Sequence, residues 1–256
     1  MAEIKTIFIT ALCLVFCAAL PAQNITTYAN VRMDSAIVAD AEMNRLIALY
    51  ADSMSNEMGR VIGTSATTMV AKRPESDLMR LLSDILFDRM AKYSKEHFGF
   101  PYPDMALANV GGMRAKLIEG EITIGNIFEI SPFDNCMVIV EMNGLTLQKM
   151  MKHVVDRSGE ALSHAKINII DEHLTYVTVN GKFIDPNMTY YVATLDYIAE
   201  GGDNFSDLKG QRMFDTGIVF HDAIISYVKE KTSAGEKIVA PTDERIKVLG
   251  EYHAPY

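Results

Sequence analysis

The chain has 256 residues, 49% of them hydrophobic, which is enough to bury one sizeable core or two small ones and argues against a disordered chain. Its formal net charge of −9 argues against general binding to nucleic acid, so any phosphate must be met by a local cluster of positive groups. Of the three cysteines, Cys13 and Cys17 fall in a segment expected to be removed, and Cys136 alone cannot form an internal disulfide.

Residues 1–22 begin with a single lysine, Lys5, run through the apolar IFITALCLVFCAAL, and end in small residues at LPAQN. This is the pattern of a secretory signal peptide cleaved before Gln23. Its apolar run of about 14 residues is short of the ~20 that a membrane-spanning helix needs. Phe16 is too bulky for the position before a lipidated cysteine, which disfavours anchoring through Cys17. The mature protein, residues 23–256, is therefore expected to be secreted, to the periplasm, without a membrane span.

A strand is expected within YANVRMD, residues 28–34. Over residues 36–59 the spacing of Met43, Ile47, Tyr50, Met54 and Met58 predicts one apolar helix face, read as a core face with a partner face as the alternative. A second helix is predicted from Glu75 to His97, striped by Leu78, Leu81, Leu82, Ile85, Leu86 and Tyr93 and capped by Ser76 or Asp77. The period then changes, and MALANV, CMVIVEM, KINII, LTYVTV and TYYVATL read as strands. Asn180-Gly181 marks a hairpin turn, and helices return near 145–157 and 218–230. Strands and helices interleave without a regular βαβ repeat, which predicts a single α+β domain with a mixed sheet.

Three stretches carry residue types suited to ligand binding. In ANVGGMR, residues 108–114, Gly111 and Gly112 offer backbone freedom and close approach of N–H groups, and Arg114 a fork of donors for phosphate oxygens. The same loop reads equally as a tight turn with an exposed arginine. In SPFDNCM, residues 131–137, a turn presents Phe133 and the Asn135 amide at a strand end, where the amide suits a heterocycle edge and the ring suits either a ligand or the core. In TLDYIAEGGDNF, residues 194–205, the bend at Gly201-Gly202 brings Tyr197 and Asp203 together, and a carboxylate can accept from two neighbouring hydroxyls, as in a ribose. A surface turn capped by the aspartate is the alternative.

In order and spacing, NVGGMR, GEITIGNIFEISPFDN, MNGLTL and YYVATLDYIAEGGDNF together resemble the C-terminal domain of the 5′-nucleotidase and UDP-sugar hydrolase family, from about residue 37 onward. The resemblance implies a substrate pocket. Phe133 and Tyr197 would sandwich a nucleobase, Asn135 read it, Asp203 hold the ribose hydroxyls, and Arg114 with Asn109, Gly111 and Gly112 hold phosphate. Val110 stands where the family usually has glycine. The family's further arginines would fall on Lys72 or Arg73, with Lys72 in the better register, and on Arg80, which also reads as an ordinary solvated helix residue.

Full-length members of that family begin with a two-metal metallophosphoesterase domain containing a GNH motif, and nothing like it occurs in this sequence. The six histidines are scattered without metal-ligand spacing and are expected to be solvated; DEH at 171–173 is the nearest approach to a ligand cluster. No catalytic residue, metal or cofactor is therefore expected on this chain, and divalent metals are expected only on a separate metallophosphoesterase partner. The resemblance implies two functions: the nucleotide-binding subunit of a split phosphohydrolase of nucleotide catabolism, or a stand-alone binder of nucleotides, nucleosides or nucleotide sugars. A third is a domain that kept the fold and lost the ligand.

Overall fold

The computed structural model describes residue 30 and residues 37–250. The segment expected to be a signal peptide, and all but one residue of the strand expected at 28–34, lie outside them. Two compact units are distinguished, residues 1–48 and 49–256. Among the described residues, the second unit holds every strand and every helix except the first turns of the opening one.

That opening helix, α1 (Ala41–Met58), starts where the Asp40 carboxylate accepts from the Met43 N–H at 2.8 Å, an aspartate N-cap. Its apolar stripe does not form the core face expected of it. Met43, Ile47, Tyr50 and Met54 are exposed, as are Leu46 and Leu49, and only Met58 in the last turn packs on the core. Periodicity identifies an apolar face; it does not identify what covers that face.

The second helix, α2 (Asp77–Glu96), matches its expected span and buries Leu78, Leu81, Leu82, Ile85 and Leu86. Ser76 sits at the N-cap, but its hydroxyl accepts from the Lys72 N–H at 2.9 Å instead of capping the helix.

The centre of the domain is a five-stranded sheet in the order β10 (Arg212–Val219), β4 (Cys136–Asn143), β9 (Thr189–Leu195), β2 (Met105–Ala108), β5 (Ala161–Ser163). It is mixed, as expected: β2 runs parallel to β9, and the other neighbours are antiparallel. Successive side chains of a strand point to opposite faces, and here both faces are covered. Met137 and Ile139 of β4 enter a core with α2 and α6 (Phe220–Ser233), while Val138, Val140 and Met142 enter another with α4 (Gly144–Asp156). That second core is closed by a four-stranded sheet, β11 (Ile246–Leu249), β6 (Ala165–Ile170), β7 (His173–Val179), β8 (Lys182–Phe183). Double coverage explains why CMVIVEM reads as a continuous apolar run.

The β7–β8 hairpin turns at Asn180 and Gly181, both at positive φ (50° and 73°), as their sequence demands. Among the described residues, five strands and two helices escape the sequence reading, including β5 and the four-residue α5 (Asp196–Ala199). β1 (Val61–Ser65) and β3 (Gly120–Thr123) form a two-stranded sheet, and α3 (Ile124–Ile130) follows with a reciprocal cap between Thr123 and Asn126. β10 is broken by a bulge between Asp215 and Val219 at the sheet edge, and β11 has only four residues.

The last strand is tied in by Arg245, which is 5% exposed. Its guanidinium donates to the Leu162 carbonyl at 2.6 Å, to Asp84 at 2.8 Å and to both oxygens of Asp243 at 3.0 Å. Arg245→Met strands those acceptors and is expected to cost about 3 kcal/mol, the low end for breaking a buried pair because the aspartates are partly solvated. The check is a lowered urea midpoint with an unchanged slope. An unchanged midpoint would mean that Arg245 is dispensable to the fold.

Candidate functional site

Three neighbouring strands bring their ends together at one edge of the central sheet. β2 and β9, running parallel, end at Ala108 and Leu195, and the antiparallel β4 begins at Cys136 on the same side. The loops leaving or entering these ends enclose a half-open cleft of about 340 Å3. Its lining is Asn109, Gly111 and Arg114 from the loop after β2, Phe133 and Asn135 from the turn before β4, and Tyr197 and Asp203 from the segment after β9. The three stretches chosen from the sequence thus converge because their strands are adjacent, although up to 94 residues separate them in the chain.

The first loop folds as a short 3-10 turn, Val110–Gly112, in which the Met113 N–H donates to the Val110 carbonyl at 2.9 Å. Neither Gly111 nor Gly112 has positive φ, so the backbone freedom expected of the pair is not used. Close approach is. A Cβ on Gly112 would lie 3.0 Å from Asn109 Oδ1, and one on Gly111 3.5 Å from Asp203 Oδ2. Arg114 is anchored through its backbone N–H to the Ile130 carbonyl at 2.8 Å, while its side chain is exposed with one guanidinium N–H 3.3 Å from the Gly111 carbonyl. It remains open to an anion.

The second stretch is pinned by the Phe220 N–H, which donates to the Asn135 carbonyl at 2.9 Å and so holds the turn against the start of α6. Phe133 is 47% exposed, which removes core packing as its role. Cys136, next to Asn135, is free. Burial first, and then Asp196, Asp215 and Asp134, push its thiol pKa upward, so it is no nucleophile at neutral pH.

In the third stretch, Gly201 adopts φ 92° and Asp203 φ 52°, a left-handed conformation that an aspartate tolerates at a small cost. The Tyr197 hydroxyl accepts from the Asp203 N–H at 3.2 Å and lies 3.4 Å from Oδ1. Oδ2 accepts from the Asn109 amide at 2.8 Å.

The cleft does not include every residue singled out. Gly112, Lys72 and Arg80 do not line it. Arg80 is neither solvated nor open to a phosphate: its guanidinium is engaged by Asp77, by Glu75 at 3.4 Å and by the Pro241 carbonyl at 2.9 Å. Arg73, the alternative to Lys72, donates to the Gly159 carbonyl at 2.9 Å and to Glu160 at 2.6 Å.

Sequence reasoning overlooked Arg157, Glu160 and His153. Arg157 and His153 both donate to or pair with the Asp203 carbonyl, at 3.1 and 3.0 Å. The only signal was their position at the end of a predicted helix. The expectation of solvated histidines also fails at His221, which is 5% exposed against Phe128, and at the half-buried His153. Asp171 and Glu172 of the DEH triplet form the turn between β6 and β7. Among the described residues no three His, Cys, Asp or Glu are grouped to hold a metal ion, and no helix is long and apolar enough to cross a membrane.

Fold and cleft define a mixed-sheet α+β domain with a polar, aromatic-walled cleft at one sheet end. The sequence matches the family model described as 5′-nucleotidase, C-terminal domain, over residues 32–210, and the chain belongs to that family. Among curated proteins it is 26% identical over 147 residues to Protein UshA of Yersinia enterocolitica, covering 55% of this chain and 27% of that one. With the mouse 5′-nucleotidase it shares 25% identity over 260 aligned positions, 90% of this chain and 44% of the relative. The solved 5′-nucleotidase precursor of Thermus thermophilus superposes with a TM-score of 0.70 at 25% identity, over 82% of this chain and 43% of that one. The NAD nucleotidase of Haemophilus influenzae, at 17% identity, shares the fold with a TM-score of 0.64 over 83% and 42% of the two chains. The chain spans less than half the length of these relatives.

Proposed function

We propose that this domain binds a nucleotide and serves as the substrate-binding part of a 5′-nucleotidase-type phosphohydrolase in nucleotide catabolism. The observation that carries the reading is the convergence, in one cleft, of two half-exposed aromatic rings, an amide, a carboxylate and an arginine in an order that suits base, ribose and phosphate. Phe133 and Tyr197 stack on the base, Asn135 meets its edge, Asp203 accepts from the ribose hydroxyls, and Arg114 with the Asn109–Gly112 loop receives the phosphate.

The described residues offer no donor set for the metals that phosphoester hydrolysis would call on, so no step through a metal is assigned to them. We place that chemistry on a metallophosphoesterase partner. The apolar leader supports export to the periplasm.

Calorimetric titration with AMP, adenosine and UDP-glucose tests the binding. Arg114→Ala is expected to weaken AMP by about tenfold or more, the worth of a charge-assisted bond, and to leave adenosine within about twofold. Equal losses for both ligands would remove Arg114 from the phosphate end. Mixing with a cognate metallophosphoesterase is expected to raise AMP hydrolysis above that of the partner alone. Binding without such a gain leaves a stand-alone binding module.

A further inference from the structure

Behind the cleft lies an ion network that joins its loops to one another. The Glu160 side chain is fully buried. Its Oε1 accepts from Arg157 Nε and from Arg73 Nη2, both at 2.6 Å, and its Oε2 accepts from the Val110 N–H, also at 2.6 Å. Val110 opens the 3-10 turn that carries Gly111 into the cleft. The other two nitrogens of Arg157 go to Asp203: Nη2 lies 3.2 Å from Oδ2, and Nη1 donates to the main-chain carbonyl at 3.1 Å. Asn109, beside Val110, donates to the same Oδ2, which closes a ring from one cleft loop to the other.

A buried carboxylate of this kind is costly unless paired, and apolar side chains of similar volume would fill the space more cheaply. What the ions add is direction. The planar Arg157 fork fixes the Asp203 side chain and backbone together, and Glu160 fixes both the fork and the Val110 amide. With Oδ2 taken by Asn109 and Arg157, Oδ1 among the described residues meets only the Tyr197 hydroxyl, at 3.4 Å. It is the oxygen left to accept from a ligand hydroxyl.

We propose that Arg157 and Glu160 are positioning residues of this cleft: Arg157 aims Asp203 Oδ1 at the ligand's vicinal hydroxyls, and Glu160 locks that aim to the phosphate-side loop. This rests on the nucleotide reading of the cleft. Lysine at 157 keeps the charge but lacks the fork, so Arg157→Lys is expected to weaken adenosine about tenfold while leaving 2′,3′-dideoxyadenosine, which has no hydroxyls to place, within twofold. A loss of folding would lower both equally. Glu160→Gln puts an amide where two arginines and an N–H converge, and is expected to weaken AMP and adenosine together while speeding hydrogen exchange at the Val110 amide at least tenfold in ligand-free protein.

Equal effects of Arg157→Lys on the two nucleosides, or no effect on either, would overturn the proposal. Should the wild-type chain bind neither nucleoside and neither AMP nor UDP-glucose, the nucleotide reading falls and the exchange measurement decides alone. Faster exchange at Val110 in both variants, with an unchanged unfolding midpoint, then supports the linkage between loops. Unchanged exchange in both overturns it.

Discussion

Phe133→Ala is expected to weaken adenosine and AMP by the same factor, at least about tenfold, because the base is common to both and stacking is worth about 1–3 kcal/mol per base. The ring is 47% exposed and stands on a turn held by the Phe220 N–H to Asn135 carbonyl bond, so its removal leaves the turn in place. Unfolding should shift by no more than about 0.5 kcal/mol, as for other exposed substitutions. Titration calorimetry beside a urea melt separates the two effects. A binding loss under twofold for both ligands would remove the ring from the site, and a large fall in stability would return it to the core. Tyr197→Phe makes the contrasting variant: it keeps the second ring face and loses only the hydroxyl that meets the Asp203 N–H.

The pattern of Phe133 with Asp203 was legible because each belongs to a short motif whose local turn has its own residue chemistry. Their meeting was not legible from periodicity, since it depends on β2, β9 and β4 being neighbours in the sheet. Strand order is a tertiary fact, and the resemblance to a known domain stood in for it. Elements with strong local signals kept their places, as α2 did with its leucine stripe and the hairpin with Asn180-Gly181. Elements lost to the reading were short, edge-bound or bulged, as with β11 and β10, where Asp215 and Gly217 interrupt any alternation.

The errors around the cleft share a cause as well. Arg80, Arg73 and Arg157 are alike in sequence, each a cation in or near a helix end. Only burial distinguishes an arginine that meets ligand from one that meets Glu75 or Glu160, and burial of a charge is decided by partners remote in sequence. Glu160 is 87 residues from Arg73 and 50 from the Val110 amide. The same limit applies to α1. Its apolar spacing points to a core, whereas Met43, Ile47, Tyr50 and Met54 lie exposed.

Gly202→Ala is expected to be the most damaging single change at the cleft, although Gly202 touches no ligand in the proposed pose. A Cβ there would stand 2.6 Å from Cε1 and Cζ of the Tyr197 ring and would collide with the Tyr197 carbonyl oxygen as well. A rotamer change can relieve the first clash, but only a backbone shift relieves the second. Moving Tyr197 takes away one wall for the base, and it also removes the hydroxyl that holds the Asp203 N–H. One stacking contact and one neutral hydrogen bond are then lost together, about 1.5–4.5 kcal/mol, so adenosine affinity falls about hundredfold at the middle of that range. Gly181→Ala is the control. Its φ of 73° makes alanine strained by about 1–2 kcal/mol, yet the space around it is open and it lies in the β7–β8 turn, away from the cleft. It should lower stability and leave binding unchanged. Adenosine binding by Gly202→Ala within threefold of wild type would show that the Tyr197 wall is not in contact with the base. An equal binding loss in Gly181→Ala would assign the effect to global destabilisation. If only Gly202→Ala fails, the close packing of a glycine against a tyrosine is what sets the width of the cleft.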